Sequence, residues 1–195
     1  MTRPRCCDTE LGQWLTSVGG SFHESLYFEE RGSSAYSCAA CADDGSRAVE
    51  GEGRAVVTDA ALEPGTTAVS CPYDAAVTPS LAKAVLVPAV LPADREYSDR
   101  QLTAVYLALH LVALEDGDQA LPSGLPQSAL KHRAYVASLP APDSLRTPLY
   151  WNEDELSLLI STNLLLATES RRQEWREEFD VVAAASQEAL TSVTW

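Results

Sequence analysis

Apolar positions recur at helical spacing over several stretches of the chain and at strand spacing over few. Within residues 8–30, Leu11, Trp14, Leu15 and Val18 return every three to four positions, the period of one helix face, and Gly19-Gly20 ends the pattern. Residues 31–46 are rich in Gly, Ser, Ala, Cys and Asp and read as a surface loop. Arg54-Ala55-Val56-Val57-Thr58 is a β-prone run, Glu63-Pro64-Gly65 is a turn signal, and a second run covers Thr66 to Cys71 before Pro72. These runs predict a small hairpin or meander within residues 47–97, then a Pro-punctuated segment through Pro92 with no long helix. A doubly wound parallel sheet, which needs alternating helices, is disfavoured.

From Ser98 the pattern turns helical. Ser98 with Gln101 makes a capping box, and Leu102, Val105, Tyr106, Leu109, Val112 and Ala113 form one apolar stripe. Glu115-Asp116-Gly117-Asp118 ends that helix. A shorter helix is predicted over Gln127 to Ser138, stopped by Leu139-Pro140. Pro148 pushes Thr147 into an extended conformation. Asn152 with Glu155 caps a third helix carrying Leu156, Leu158, Leu159 and Ile160. A fourth, Asn163 to Thr191, puts Leu166, Trp175, Phe179 and Val182 near one face and Arg171, Arg172, Arg176, Glu177 and Glu178 outside. The predicted class is α+β, with a leading helix and hairpin in residues 1–97 and helices in residues 98–195. His110 and His132 have no acid or cysteine at useful spacing and read as packing or surface residues. The Arg171 to Glu178 run reads as a solvated helix face with no assigned function.

Charge changes the list of partners. Lys+Arg 14 against Asp+Glu 28 leaves a net charge of −14, which repels nucleic-acid phosphates and leaves a protein or basic peptide as the easier partner. No run approaches the roughly 18 apolar residues of a membrane span, and no apolar stretch follows the basic start Met1 to Cys7. An odd count of five cysteines suits a reduced, intracellular setting, in nucleus or cytoplasm. Common catalytic signatures are absent. Val56 stands where a dinucleotide loop starting at Gly51 needs its third glycine, Tyr27 stands where the His23-Glu24 pair needs a second zinc histidine, and no Gly-x-Ser-x-Gly elbow occurs. Cys38-x-x-Cys41 supplies two of the four ligands a structural zinc requires, so the pair reads as small loop residues and no metal is assigned.

One ordered set of motifs goes further. Glu50-Gly51-Glu52-Gly53-Arg54-Ala55-Val56-Val57, followed by Glu63-Pro64-Gly65, resembles the first hairpin of a SET domain. Tyr135-Val-Ala-Ser-Leu-Pro140, Thr147-Pro148-Leu149-Tyr150-Trp151, Glu153-Asp-Glu-Leu156 and Ser161-Thr162 follow in order. They resemble the Rubisco large-subunit methyltransferase subclass of that family, whose pattern is Tyr-x-x-x-Leu-Pro, Thr-Pro-Leu-Tyr/Phe, an acidic cap, Glu-Leu and Gly/Ser-Thr. Leu11-x-x-Trp14, Gly19-Gly20 and Phe22-His23 fit the same subclass. The resemblance implies a partial SET β-fold with a helical insertion and a protein-lysine N-methyltransferase that uses S-adenosylmethionine. It assigns cofactor binding to Glu50, Gly51, Glu52 and Gly53. It places Tyr135, Tyr150 and Trp151 on a substrate groove for a protein bearing a target lysine or histidine. Glycines 51 and 53 suit that role physically, because a turn without Cβ atoms can expose main-chain N–H and C=O groups to a ligand.

In that family a methyl group moves in line from a sulfonium to a neutral amine, and the groups that position it lie beyond the helical insertion: an Arg-bearing helix, an Asn-His pair in a threaded strand and a later tyrosine. The asparagines here are Asn152 and Asn163, neither beside a histidine, and no tyrosine follows Tyr150. The resemblance therefore implies the N-terminal half of such an enzyme, with no catalytic residue of its own and no turnover alone. The alternative reading is a non-catalytic protein-binding module or a degenerate SET-like protein.

Overall fold

Thr9 starts the first helix, α1 (Glu10–Ser17): its backbone is extended and its hydroxyl accepts a hydrogen bond from the Gly12 N–H at 3.1 Å. Leu15 is buried, while Leu11, Trp14 and Val18 are half-buried, so the predicted stripe is the inward face. Gly19, at φ +87°, ends it. Its N–H donates to the Thr16 carbonyl, and the Gly20 N–H reaches back to the Leu15 carbonyl at 2.8 Å. This is the paired closure that a left-handed residue after a helix permits.

The computed structural model describes residues 5–31, 53–122, 124–140, 145 and 147–186. The chain divides into two compact units, Met1–Ala76 and Val77–Trp195.

Among the described residues the first unit holds four strands: β1 (Ser21–Phe22), β2 (Leu26–Arg31), β3 (Gly53–Thr58) and β4 (Val69–Ser70). The α+β class is observed, with two small antiparallel sheets. The pairing differs from the expected hairpin. β3 pairs with β2, from Leu26 opposite Thr58 to Arg31 opposite Gly53, and β4 pairs with β1. The physical reason lies in what each partner offers. Leu26-Tyr27-Phe28 is a β-prone stretch that supplies a six-residue ladder to β3, whereas the Thr66 to Cys71 run extends over only two residues as β4. Phe22 and Phe28 meet edge to face, with ring centroids 5.8 Å apart.

The second unit begins with a helix the sequence reading omitted, α2 (Pro79–Leu86). Its signal is local: Thr78 accepts from the Leu81 N–H at 3.2 Å, and Pro79 occupies the first turn, where a missing N–H costs nothing. α3 (Asp99–Glu115) carries the predicted capping box, with Ser98 Oγ accepting from the Gln101 N–H and Gln101 Oε1 accepting from the Ser98 N–H. All six stripe positions of α3 are buried. With Ala82, Leu86, Val90, Leu91, Leu125, Leu130 and Val182 they supply most of the core. Each fully buried leucine or valine there contributes about 1.5–3 kcal/mol relative to exposure.

The predicted Gln127–Ser138 helix is shorter. Gln127–Ala129 forms a single tight turn and α4 covers only Arg133–Ala137. α5 (Glu153–Ser157) has the predicted Asn152–Glu155 capping box, but it ends before Leu158 and Ile160, which are largely exposed. α6 spans Asn163–Ser186; the expected extension to Thr191 lies outside the described residues. Among the described residues no helix is long and apolar enough to cross a membrane.

Candidate functional site

Gly53 is the first residue of β3, opposite Arg31 of β2. Glu50, Gly51 and Glu52 lie outside the described residues, as do Cys38 and Cys41. A strand begins where the glycine turn was expected to deliver one, and β3 continues through Arg54-Ala55-Val56-Val57. Among the described residues no cluster of three or more His, Cys, Asp or Glu is placed to hold a metal ion.

Of the three residues expected to line a groove, one lies on α4 and two lie together at a later turn. Tyr135 is on α4 and partly exposed. Tyr150 and Trp151 belong to the Pro148–Tyr150 turn and the residue that closes it. Tyr150 lines an apolar cleft of about 300 Å³, and Tyr135 and Trp151 do not. α3 contributes Ala104, Val105 and Ala108 to that cleft, and α6 contributes Trp175, Phe179 and Val182. The small alanines open space that the aromatic side chains border. Arg100 and Glu178, an ion pair between α3 and α6, complete the polar part of the lining together with Gln101.

Arg172 holds the tyrosine-bearing turn in place, which corrects its assignment to a solvated face. Its Nε donates to the Leu149 carbonyl at 3.0 Å, and its Nη2 donates to the carbonyls of Pro148 at 3.1 Å and Trp151 at 2.6 Å. A planar guanidinium fork suits three main-chain oxygens converging from one turn. Arg171, one residue earlier, is exposed and pairs with Glu174 at 3.0 Å. Adjacent arginines thus differ because the helix turns one inward and the other to solvent.

Ser161 stands where the resembled family carries Gly or Ser, and it has φ +69°. This is the left-handed region, which glycine adopts without strain and a residue with a Cβ adopts at a cost.

A polar cluster that sequence reasoning missed lies inside the α3 core. His110 and His132 are 0% and 2% exposed. His110 Nδ1 lies 2.8 Å from the Tyr106 carbonyl, and its Nε2 lies 3.2 Å from the His132 main-chain N–H. The Tyr106 hydroxyl lies 2.8 Å from His132 Nδ1. A carbonyl only accepts and a main-chain N–H only donates, so His110 is held neutral with its proton on Nδ1. Burial pushes the His110 imidazole below its ordinary value; the Tyr106 carbonyl opposes that shift, and His132 and Arg133 add to it. Burial likewise raises the Tyr106 hydroxyl, against a main-chain hydrogen bond from Lys131. The available signal was Tyr106 and His110 four residues apart on the apolar stripe; their partner 22 residues on carried none.

Compared with known proteins, the chain matches no family model, no curated protein and no solved structure.

Proposed function

We propose that this chain carries the cofactor turn and one groove wall of a SET-type protein-lysine N-methyltransferase using S-adenosylmethionine. The observation that carries this reading is the order of the motifs from Glu50 to Thr162. Three structural features support it. A strand paired with β2 begins at Gly53, the last residue of the Glu50 to Gly53 motif. The Thr147 to Trp151 motif is clamped by Arg172, and its Tyr150 borders an apolar cleft. Ser161, at the family's Gly/Ser position, has the positive φ that a glycine there would adopt without strain.

In this reading the main chain at Gly51 and Gly53 approaches the cofactor closely, and Glu50 and Glu52 add carboxylates beside it. Tyr135, Tyr150 and Trp151 shape the path of the substrate protein, so their work is positioning. The bound cofactor supplies the methyl group. No catalytic residue is assigned to this chain.

The second reading is a non-catalytic protein-binding module or degenerate SET-like protein. It draws on the exposure of Leu158, Ile160 and Leu166, at 79%, 64% and 66%, which leaves apolar side chains available to a partner. Calorimetric titration with S-adenosylmethionine separates the two. Saturable binding that weakens at least tenfold in Gly53→Val, with no transfer of labelled methyl by this chain alone, is the expected result. No binding at millimolar cofactor overturns the methyltransferase reading and favours the module.

A further inference from the structure

The buried histidines do more than fill the core. Among the described residues the Tyr106 hydroxyl reaches the Ala129 carbonyl at 3.4 Å, and two closer polar ties join α3 to the segment from Gln127 to Ala137, of which one runs through imidazole rings. The permanent tie is Arg133, whose Nη2 donates to the Ala113 carbonyl at 2.8 Å while Nη1 pairs with Asp118 at 2.9 Å. The other tie is the run from the Tyr106 carbonyl through the His110 ring to the His132 N–H, returning through His132 Nδ1 to the Tyr106 hydroxyl. The rings interlock as well: Tyr106 and His110 centroids are 4.6 Å apart at 63°, and Tyr106 and His132 are 5.6 Å apart at 76°.

We propose that His110, with His132 and Tyr106, is an acid-sensitive latch that holds the Gln127–Ala137 segment on α3 while neutral and releases it on protonation. A proton added to His110 Nε2 would face the His132 N–H, so that two donors oppose each other at a distance set for a hydrogen bond. Water has no access to restore the lost acceptor, because both side chains are buried.

The groups facing His110 reinforce the effect. From α3 it sees the Tyr106 ring and carbonyl, from the Gln127–His132 segment it sees His132, and from α4 it sees Arg133. Lys83, the one charged residue of α2, is exposed to solvent. Arg133, a fixed cation, and the His132 ring both oppose a positive charge on His110. The sign follows from this: the folded imidazole binds a proton less readily than the unfolded one, so stability is complete above an ordinary histidine value near 6.5 and declines as pH falls below it.

Amide hydrogen exchange on the intact chain between pH 7.5 and 5 tests the latch, with rates corrected for intrinsic pH dependence. Protection of the Leu130–Val136 amides, relative to α6, is expected to fall up to tenfold per pH unit below about 6.5 as His110 gains its proton. In His110→Asn, whose amide can donate and accept without titrating, that loss is expected to shrink by the contribution of one histidine. Equal loss in wild type and variant, or protection independent of pH, overturns the proposal. Imidazole nitrogen shifts of the wild type give a second reading that does not depend on the variant folding. A neutral Nδ1–H ring persisting below pH 6, and charging together with the loss of those amides, supports the latch. A ring that charges near 6.5 with the amides unmoved overturns it.

Discussion

Replacing Arg172 by alanine removes a side chain that bonds three of the four carbonyls of the Pro148–Trp151 turn. A buried hydrogen bond to a charged donor contributes about 1.5–3 kcal/mol, but Arg172 is half-buried, so water can take over part of each bond. The three bonds also share one guanidinium and are not independent. The expected loss is about 2–3 kcal/mol, including the packing of the arginine stem. Arg172→Lys keeps the charge but lacks the fork, so it is expected to recover about one bond of the three. Urea unfolding followed by tryptophan fluorescence suits the measurement, because Trp151 closes the turn and Trp175 lies one helical turn beyond Arg172. The refuting result is Arg172→Ala within about 0.5 kcal/mol of wild type, the range of an ordinary surface substitution. The arginine would then be solvated and Tyr150 held by something else.

Two stability measurements follow from packing in the separate units. Leu109→Ala empties a fully buried position of the second core and is expected to cost about 2–5 kcal/mol in denaturant unfolding; a loss below about 1 kcal/mol would place the core elsewhere. Gly12→Ala adds a methyl group that overlaps the Cys6 carbonyl oxygen and comes 2.7 Å from Cys7 Cα. Both are main-chain atoms that cannot rotate aside, so thermal unfolding of the first unit should show a loss of about 1–3 kcal/mol despite the better helix propensity of alanine. A gain in stability would mean that α1 does not pack against Cys6–Asp8.

What lay within reach of the sequence was whatever one helical turn or one chain reversal decides. Ser98 with Gln101 and Asn152 with Glu155 form their capping boxes because both partners are three residues apart. The α3 stripe is buried because a single helix face collects all of its apolar residues. Thr78-Pro79 announced α2 by the same local chemistry, and that signal went unread. The β-prone run Arg54 to Thr58 was legible too, and it forms β3 with Gly53 as its first residue.

The tertiary structure alone chose the partners of these local pieces. β3 bonds to β2 rather than to the nearer β-prone run, because ladder length outweighs sequence proximity. Arg172 finds carbonyls 21 to 24 residues away, whereas its neighbour Arg171 meets Glu174. Of the three groove aromatics, the cleft takes Tyr150 and leaves Tyr135 and Trp151 aside. His110 and His132, unremarkable as letters 22 positions apart, become one hydrogen-bonded cluster once α3 and the following turn share a core. Local propensity depends on neighbours along the chain. Pairing depends on which distant groups a packed interior brings within 3 Å, and no spacing rule encodes that.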